Sequence, residues 1–113
     1  MEGAMIDWAR VTDLRTEVGE TAFSEVLELF LEEMDDAMAR LAGRVEQAAM
    51  ADELHFARGA ALNLGLREFS TLCQRLEHAA RTGQQIDLAP LRACYDQSRQ
   101  VLLGERGIAP EGA

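Results

Sequence analysis

The stretch Phe23-Ser24-Glu25-Val26-Leu27-Glu28-Leu29-Phe30-Leu31-Glu32-Glu33-Met34-Asp35-Asp36-Ala37-Met38-Ala39-Arg40-Leu41 decides the fold class. Phe23, Val26, Leu27, Phe30, Leu31, Met34, Met38 and Leu41 recur at spacings of three and four, whereas Glu25, Glu28, Glu32, Glu33, Asp35 and Asp36 fill the opposite side. That is the 3.6-residue period of an amphipathic helix, predicted from Glu20 to about Val45, with its acidic face solvated. One apolar stripe cannot be buried alone, so the rest of the chain must supply helices to pack on it.

It does so on both sides. Residues 6–17 read as a short helix with Asp7 as N-cap and Trp8, Val11 and Leu14 spaced three apart, ended by Gly19. Downstream, Met50, Leu54, Ala57, Ala61 and Leu64 form the stripe of a third helix from about Met50 to Leu64, and Gly65 stands where a C-terminal cap belongs. A fourth helix, about Arg67 to Thr82, carries Phe69, Leu72, Cys73, Leu76 and Ala80 inward and ends at Gly83. A fifth runs from about Leu88 to Leu103, with Pro90 in its first turn, where proline is tolerated. The loops are short, so the long helices should alternate in direction. The expectation is an all-α chain: an antiparallel up-and-down four-helix bundle with a short N-terminal helix. It would be one domain over 1–113, with a core at about 6–103 and a flexible tail at 104–113.

Composition agrees. The 113 residues are enough for a single core, 48% are hydrophobic and only 5% aromatic, so Leu, Ala, Val and Met must fill it. No apolar run approaches the roughly 18 residues that span a bilayer, and Met1-Glu2-Gly3-Ala4 has no basic or apolar leader character; a cytoplasmic location is expected. The net charge is −9 and all eleven basic residues are arginine. Such a chain repels phosphate backbones and anionic lipids, so neither nucleic acid nor membrane is expected as a partner. Cys73 and Cys94 have no metal or redox spacing and read as small reduced core residues. There is no Asp-x-Asp-x-Asp-Gly loop for calcium and no glycine-rich phosphate loop for ATP, so no cofactor is expected and the chain is not a kinase.

Chemistry concentrates in Leu54-His55-Phe56-Ala57-Arg58-Gly59. His55, Arg58, Gly59 and Leu62 share one strip of the third helix, away from its apolar stripe. Arg58 is one turn from His55, within reach of anything bonded to the imidazole. Gly59 lies directly over His55, at a cost of about 0.5–1 kcal/mol relative to alanine. A glycine there either clears space for an approaching molecule or permits close packing on another helix. Leu62 likewise belongs either to a docking patch or to a helix contact. If the chain reverses at Gly65-Leu66, His55 and Glu77 are each eleven residues from position 66 and face one another. A carboxylate accepting from Nδ1–H fixes the tautomer and leaves the Nε2 lone pair outward as a nucleophile. Gln74, one turn before Glu77, is a possible further contact for a bound phosphoryl group, or a plain surface glutamine. His78 lies opposite its helix's stripe and has no role.

His55-x-x-Arg58-Gly59, Leu64-Gly65, Leu72-Cys73 and Leu76-Glu77 together resemble the histidine-containing phosphotransfer (HPt) family over the whole five-helix chain. The resemblance implies that His55 takes a phosphoryl group from the aspartate of one receiver domain and gives it to another. It implies that Arg58 stands where the family usually carries lysine and stabilises the phosphoryl group, and that Glu77 stands where Gln or Glu bonds the histidine. Partners would be receiver domains of response regulators or hybrid histidine kinases, Mg²⁺ would belong to the receiver, and the chain would be a monomer. Arg58 is bulkier than lysine, and Ala60 replaces the serine common after the glycine. These departures keep a second reading open, an HPt-like adaptor that binds a receiver or kinase without transferring phosphate. A plain helical scaffold, with His55 incidental, is the third.

Overall fold

The computed structural model describes residues 5–43 and 46–106. They form five helices in the order α1 (Trp8–Val18), α2 (Glu20–Gly43), α3 (Gln47–Leu64), α4 (Arg67–Arg81) and α5 (Ala89–Arg106), with no strand among the described residues. The all-helical class expected from periodicity is what the chain adopts. One core unites Val11 and Leu14 of α1, Phe23, Leu27, Leu31, Met34, Met38 and Leu41 of α2, Leu54, Ala57, Ala61 and Leu64 of α3, Phe69 and Cys73 of α4, and Leu91, Tyr95 and Leu102 of α5. Val26, Phe30, Leu72 and Leu76, expected on the same stripes, are half-buried at their edges.

Gly65 joins α3 to α4. Its φ of +80° lies in the left-handed region that costs a side chain about 1–2 kcal/mol. It closes α3 by two bonds, Gly65 N–H to the Leu62 carbonyl at 3.2 Å and Leu66 N–H to the Ala61 carbonyl at 2.9 Å, which satisfy carbonyls that the helix end would strand. Residues of α3 then meet residues of α4 in reversed order, Asp52 with Arg81 and His55 with Glu77.

The residues before α1 brace this turn. Asp7 caps α1, its Oδ1 accepting from Arg10 N–H at 3.3 Å. Its own N–H donates to the Gly65 carbonyl at 2.7 Å. Ile6, expected as the first residue of the helix, instead pairs with Leu66 in an isolated antiparallel bridge, and both side chains are buried. The pairing prevails because Asp7 ends the helix in extended backbone (φ −87°, ψ 90°), which aims Ile6 away from the α1 axis.

Other boundaries shift for local reasons. α3 begins at Gln47, a turn ahead of Met50, because Ala48 and Ala49 favour helix strongly but add nothing to an apolar stripe. Gln47 also donates to the Gln84 carbonyl, tying the start of α3 to the α4–α5 loop. α5 runs to Arg106, three residues beyond its expected end; residues 107–113 of the expected tail, and 44–45 of the expected second helix, lie outside the described residues. Asp35 is not a member of a purely solvated acidic face. Its Oδ1 accepts from the Tyr95 hydroxyl at 2.5 Å, and Arg99 Nη2 is 3.1 Å from Oδ2, so it fastens α5 to α2. Burial and that carboxylate hold the Tyr95 phenol above its ordinary range.

Gly65→Ala is expected to lose about 2–3 kcal/mol, because a β-carbon there would also sit 2.7 Å from the Asp7 carbonyl oxygen. Gly83 shares a positive φ (+83°) but has open space around it. Gly83→Ala should therefore lose less, a contrast read from urea midpoints at unchanged m.

Burial first, with the neighbouring Cys94 thiol and Glu77 carboxylate adding to it and Arg58 opposing, pushes the core thiol of Cys73 up to about 12. The folded chain thus holds the Cys73 proton more tightly than the unfolded one, so the stability linked to it is complete below about pH 9 and lost as pH rises toward 12. Unfolding free energy should fall across that window. At pH 8.5 a thiol-alkylating reagent should reach half-buried Cys94 and spare Cys73 until the chain unfolds.

Candidate functional site

The α3–α4 hairpin delivers a cluster of five polar side chains on one surface strip. The His55 side chain is 61% exposed, on the face of α3 away from the buried Leu54, Ala57 and Ala61. Its Nδ1 is 3.2 Å from Glu77 Oε2. Glu77, though on the flank of α4, is only 13% exposed, covered by the groove and by two arginines. Arg81, one turn along α4, sends Nε and Nη2 to the same Oε2 at 3.2 and 3.1 Å. The Arg81 guanidinium also reaches across to α3, with Nη2 3.3 Å from Asp52 Oδ1. Arg58 stands behind the ring, with Nη2 3.5 Å from His55 Nδ1 and Nε 3.8 Å from Glu77 Oε1.

One ring nitrogen cannot both donate to Glu77 and accept from Arg58. The carboxylate contact is the shorter and joins an acceptor-only group to a nitrogen able to carry a proton, so it sets the tautomer with hydrogen on Nδ1. Arg58 Nη2 is then a close neighbour of the ring and not a hydrogen-bond donor to it. Both polar contacts of the imidazole are at Nδ1, so the lone pair left on the solvent side is that of Nε2. No cavity or bound group is needed to expose it.

A β-carbon at Gly59 would meet nothing within 4 Å, so no described helix uses the gap for packing. The glycine gives up helix stability and leaves the surface beside His55 open. Leu62, 52% exposed, leaves an apolar side chain on the same strip. Gln74 is exposed on α4; the side chain brought to the imidazole is Glu77, one turn on. His78 is exposed, and its backbone carbonyl accepts from the Thr82 hydroxyl. No group of three or more His, Cys, Asp or Glu among the described residues could hold a metal ion, and no described helix is long and apolar enough to cross a membrane.

Comparison with known families decides the kinship. The sequence model described as the Hpt domain matches residues 25–101, more than half of the chain. The chain belongs to the Hpt domain family. The match begins inside α2, takes in the whole α3–α4 hairpin and ends inside α5, so every residue of the cluster falls within it. No curated protein and no solved structure matches the chain.

Sequence reasoning about this Hpt chain missed two members of the cluster, Arg81 and Asp52. Both carried a signal. Glu77 and Arg81 are an i, i+4 acid–base pair in the favourable order. Asp52 and Arg81 are near-symmetric about the Gly65-Leu66 turn, as His55 and Glu77 are. Glu77→Ala should cost little stability, since its partners lie at the surface, but should remove the acceptor that holds the proton on Nδ1. The ¹⁵N shifts of the His55 ring are expected to move from one tautomer toward a mixture. Unchanged shifts would mean that Glu77 does not orient the ring.

Proposed function

We propose that this Hpt domain is a phosphotransfer intermediate, with His55 accepting a phosphoryl group from the aspartyl phosphate of one receiver domain and returning it to the aspartate of another. The observation that carries the reading is the exposed imidazole whose Nδ1 faces Glu77 at 3.2 Å, because it leaves Nε2 as an accessible nucleophile. In the transfer step the Nε2 lone pair attacks phosphorus; the N–P bond forms as the bond from phosphorus to the aspartyl oxygen breaks, and the carboxylate leaves with that electron pair. The proton stays on Nδ1. Positive charge grows on the ring, and the Glu77 carboxylate stabilises it. The second transfer is the same step in reverse, onto another carboxylate.

The remaining assignments follow from that role. Arg58 stabilises the phosphoryl oxygens, Gly59 leaves the space into which the receiver's edge comes, Leu62 offers apolar contact beside it, and Gln74 is a possible further contact for the group. Any Mg²⁺ belongs to the receiver's own acidic site. The 113 residues act as a single domain and a monomer, with α2 to α5 arranged as an antiparallel up-and-down four-helix bundle and α1 as the short N-terminal helix. The net charge of −9 disfavours nucleic acid and anionic membranes as partners and suits a cytoplasmic protein.

One observation favours the adaptor reading, in which receivers bind without transfer: Arg58 is turned toward Glu77 and not outward over Nε2. A single experiment separates the two. Incubated with a ³²P-labelled receiver, the chain is expected to acquire acid-labile, base-stable label that a second receiver removes, and His55→Ala is expected to acquire none. An adaptor would bind the receiver with no transferable label, and would do so equally well as His55→Gln.

A further inference from the structure

Two arginines converge on Glu77, and their bonding is unequal. Arg81 is committed: it gives Oε2 two hydrogen bonds and is braced from the far side by Asp52. Those bonds, the one to Glu77 first, hold its guanidinium above its ordinary range. Arg58 is not. Its Nε is buried and makes no hydrogen bond, and its nearest carboxylate oxygen, Glu77 Oε1, is 3.8 Å away. A buried donor without a partner is a standing cost, so little holds Arg58 where it is.

The shared oxygen gives this asymmetry a consequence. Oε2 is the atom that faces His55 Nδ1, and it is also the one that Arg81 grips. Glu77 has several rotamers, and the ring follows whichever oxygen is presented. With Asp52 on α3 and Glu77 on α4, Arg81 spans the groove between the two helices and fixes the carboxylate in the rotamer that meets the imidazole. Nε and Nη2 of Arg81 converge on that one oxygen, so a rigid planar group holds it from two donors, which the single flexible ammonium of a lysine would not reproduce.

We propose that Arg81, braced by Asp52, is a positioning residue for His55 that acts through Glu77, and that it is the lasting counter-ion of Glu77 while Arg58 is free to turn to the phosphoryl group. The inference rests on the phosphotransfer reading for its second half; its first half concerns only the orientation of the ring. It divides two arginines that both approach Glu77 into one that orients the nucleophile and one that meets the transferred group.

Two readouts on the intact chain test it. In Arg81→Ala the ¹⁵N shifts of the His55 ring should move toward a tautomer mixture, and transfer from a labelled receiver should slow by about 10-fold, the lower end of the effect of losing an orienting partner. Arg81→Lys should recover part of both. In Arg58→Ala the ring shifts should stay with the parent while transfer slows. Urea midpoints should change little in all three, because these are surface pairs. The proposal is overturned if Arg81→Ala keeps the parent's ring shifts, or if Arg58→Ala is the variant that moves them. A parent chain that takes no label from any receiver would defeat the phosphotransfer reading instead, and the ring shifts would still decide the role of Arg81.

Discussion

The α3–α4 turn is the constraint on which the rest depends. Gly65 holds a left-handed backbone that also clears the Asp7 carbonyl oxygen, and the two bonds it makes with Leu66 end α3 at a defined residue. Ending one helix there and starting the next at Arg67 fixes the register of the hairpin. In an α-helix one residue of slip rotates a side chain by about 100°, so a turn of different length would carry Glu77 out of the groove and leave His55 facing water at both nitrogens. The segment before α1 serves the same point: Asp7 donates to the Gly65 carbonyl and Ile6 pairs with Leu66. A short N-terminal helix that looks peripheral is thus attached to the element that sets the site.

What the hairpin builds is a site without a pocket. The imidazole is exposed, the carboxylate behind it is nearly covered, and two guanidinium groups close the remaining sides. Each part answers a separate physical need. Exposure leaves Nε2 open to solvent and so to any molecule that approaches the strip. Cover for Glu77 lowers the local dielectric and strengthens its hold on Nδ1. The arginines keep that carboxylate paired despite a chain of net charge −9, in which a covered and unpaired acid would be costly.

Much of this was legible from residue order alone, and the failures have physical causes. The helices were readable because their stripes are long and apolar; the start of α3 was not, because Ala48 and Ala49 form helix without marking a face. Glu77 was found by counting through a hairpin whose turn was marked by glycine, and the same count ends one residue short of Arg81 when started from Asp52. Asp35 was read as one more solvated acid on α2, yet it receives the Tyr95 hydroxyl and Arg99. Those partners lie some 60 residues away along the chain, and no periodicity within α2 contains them.

By itself the sequence determined the helical class, the five-element order, the turn at Gly65 and the strip carrying His55, Arg58, Gly59 and Leu62, since all of these follow from local periodicity and backbone preference. Tertiary structure decided how the charged side chains around that strip divide their contacts. Arg58 and Arg81 are both arginines on helix flanks, each one turn from a residue of the cluster, His55 and Glu77, and that spacing does not say which of them the carboxylate keeps. Only when α3 and α4 are laid together does one become bonded to two carboxylates while the other is left with a buried, unmatched N–H. Charge pairing depends on distances across a groove of a few ångströms, and those distances exist only after packing has set them.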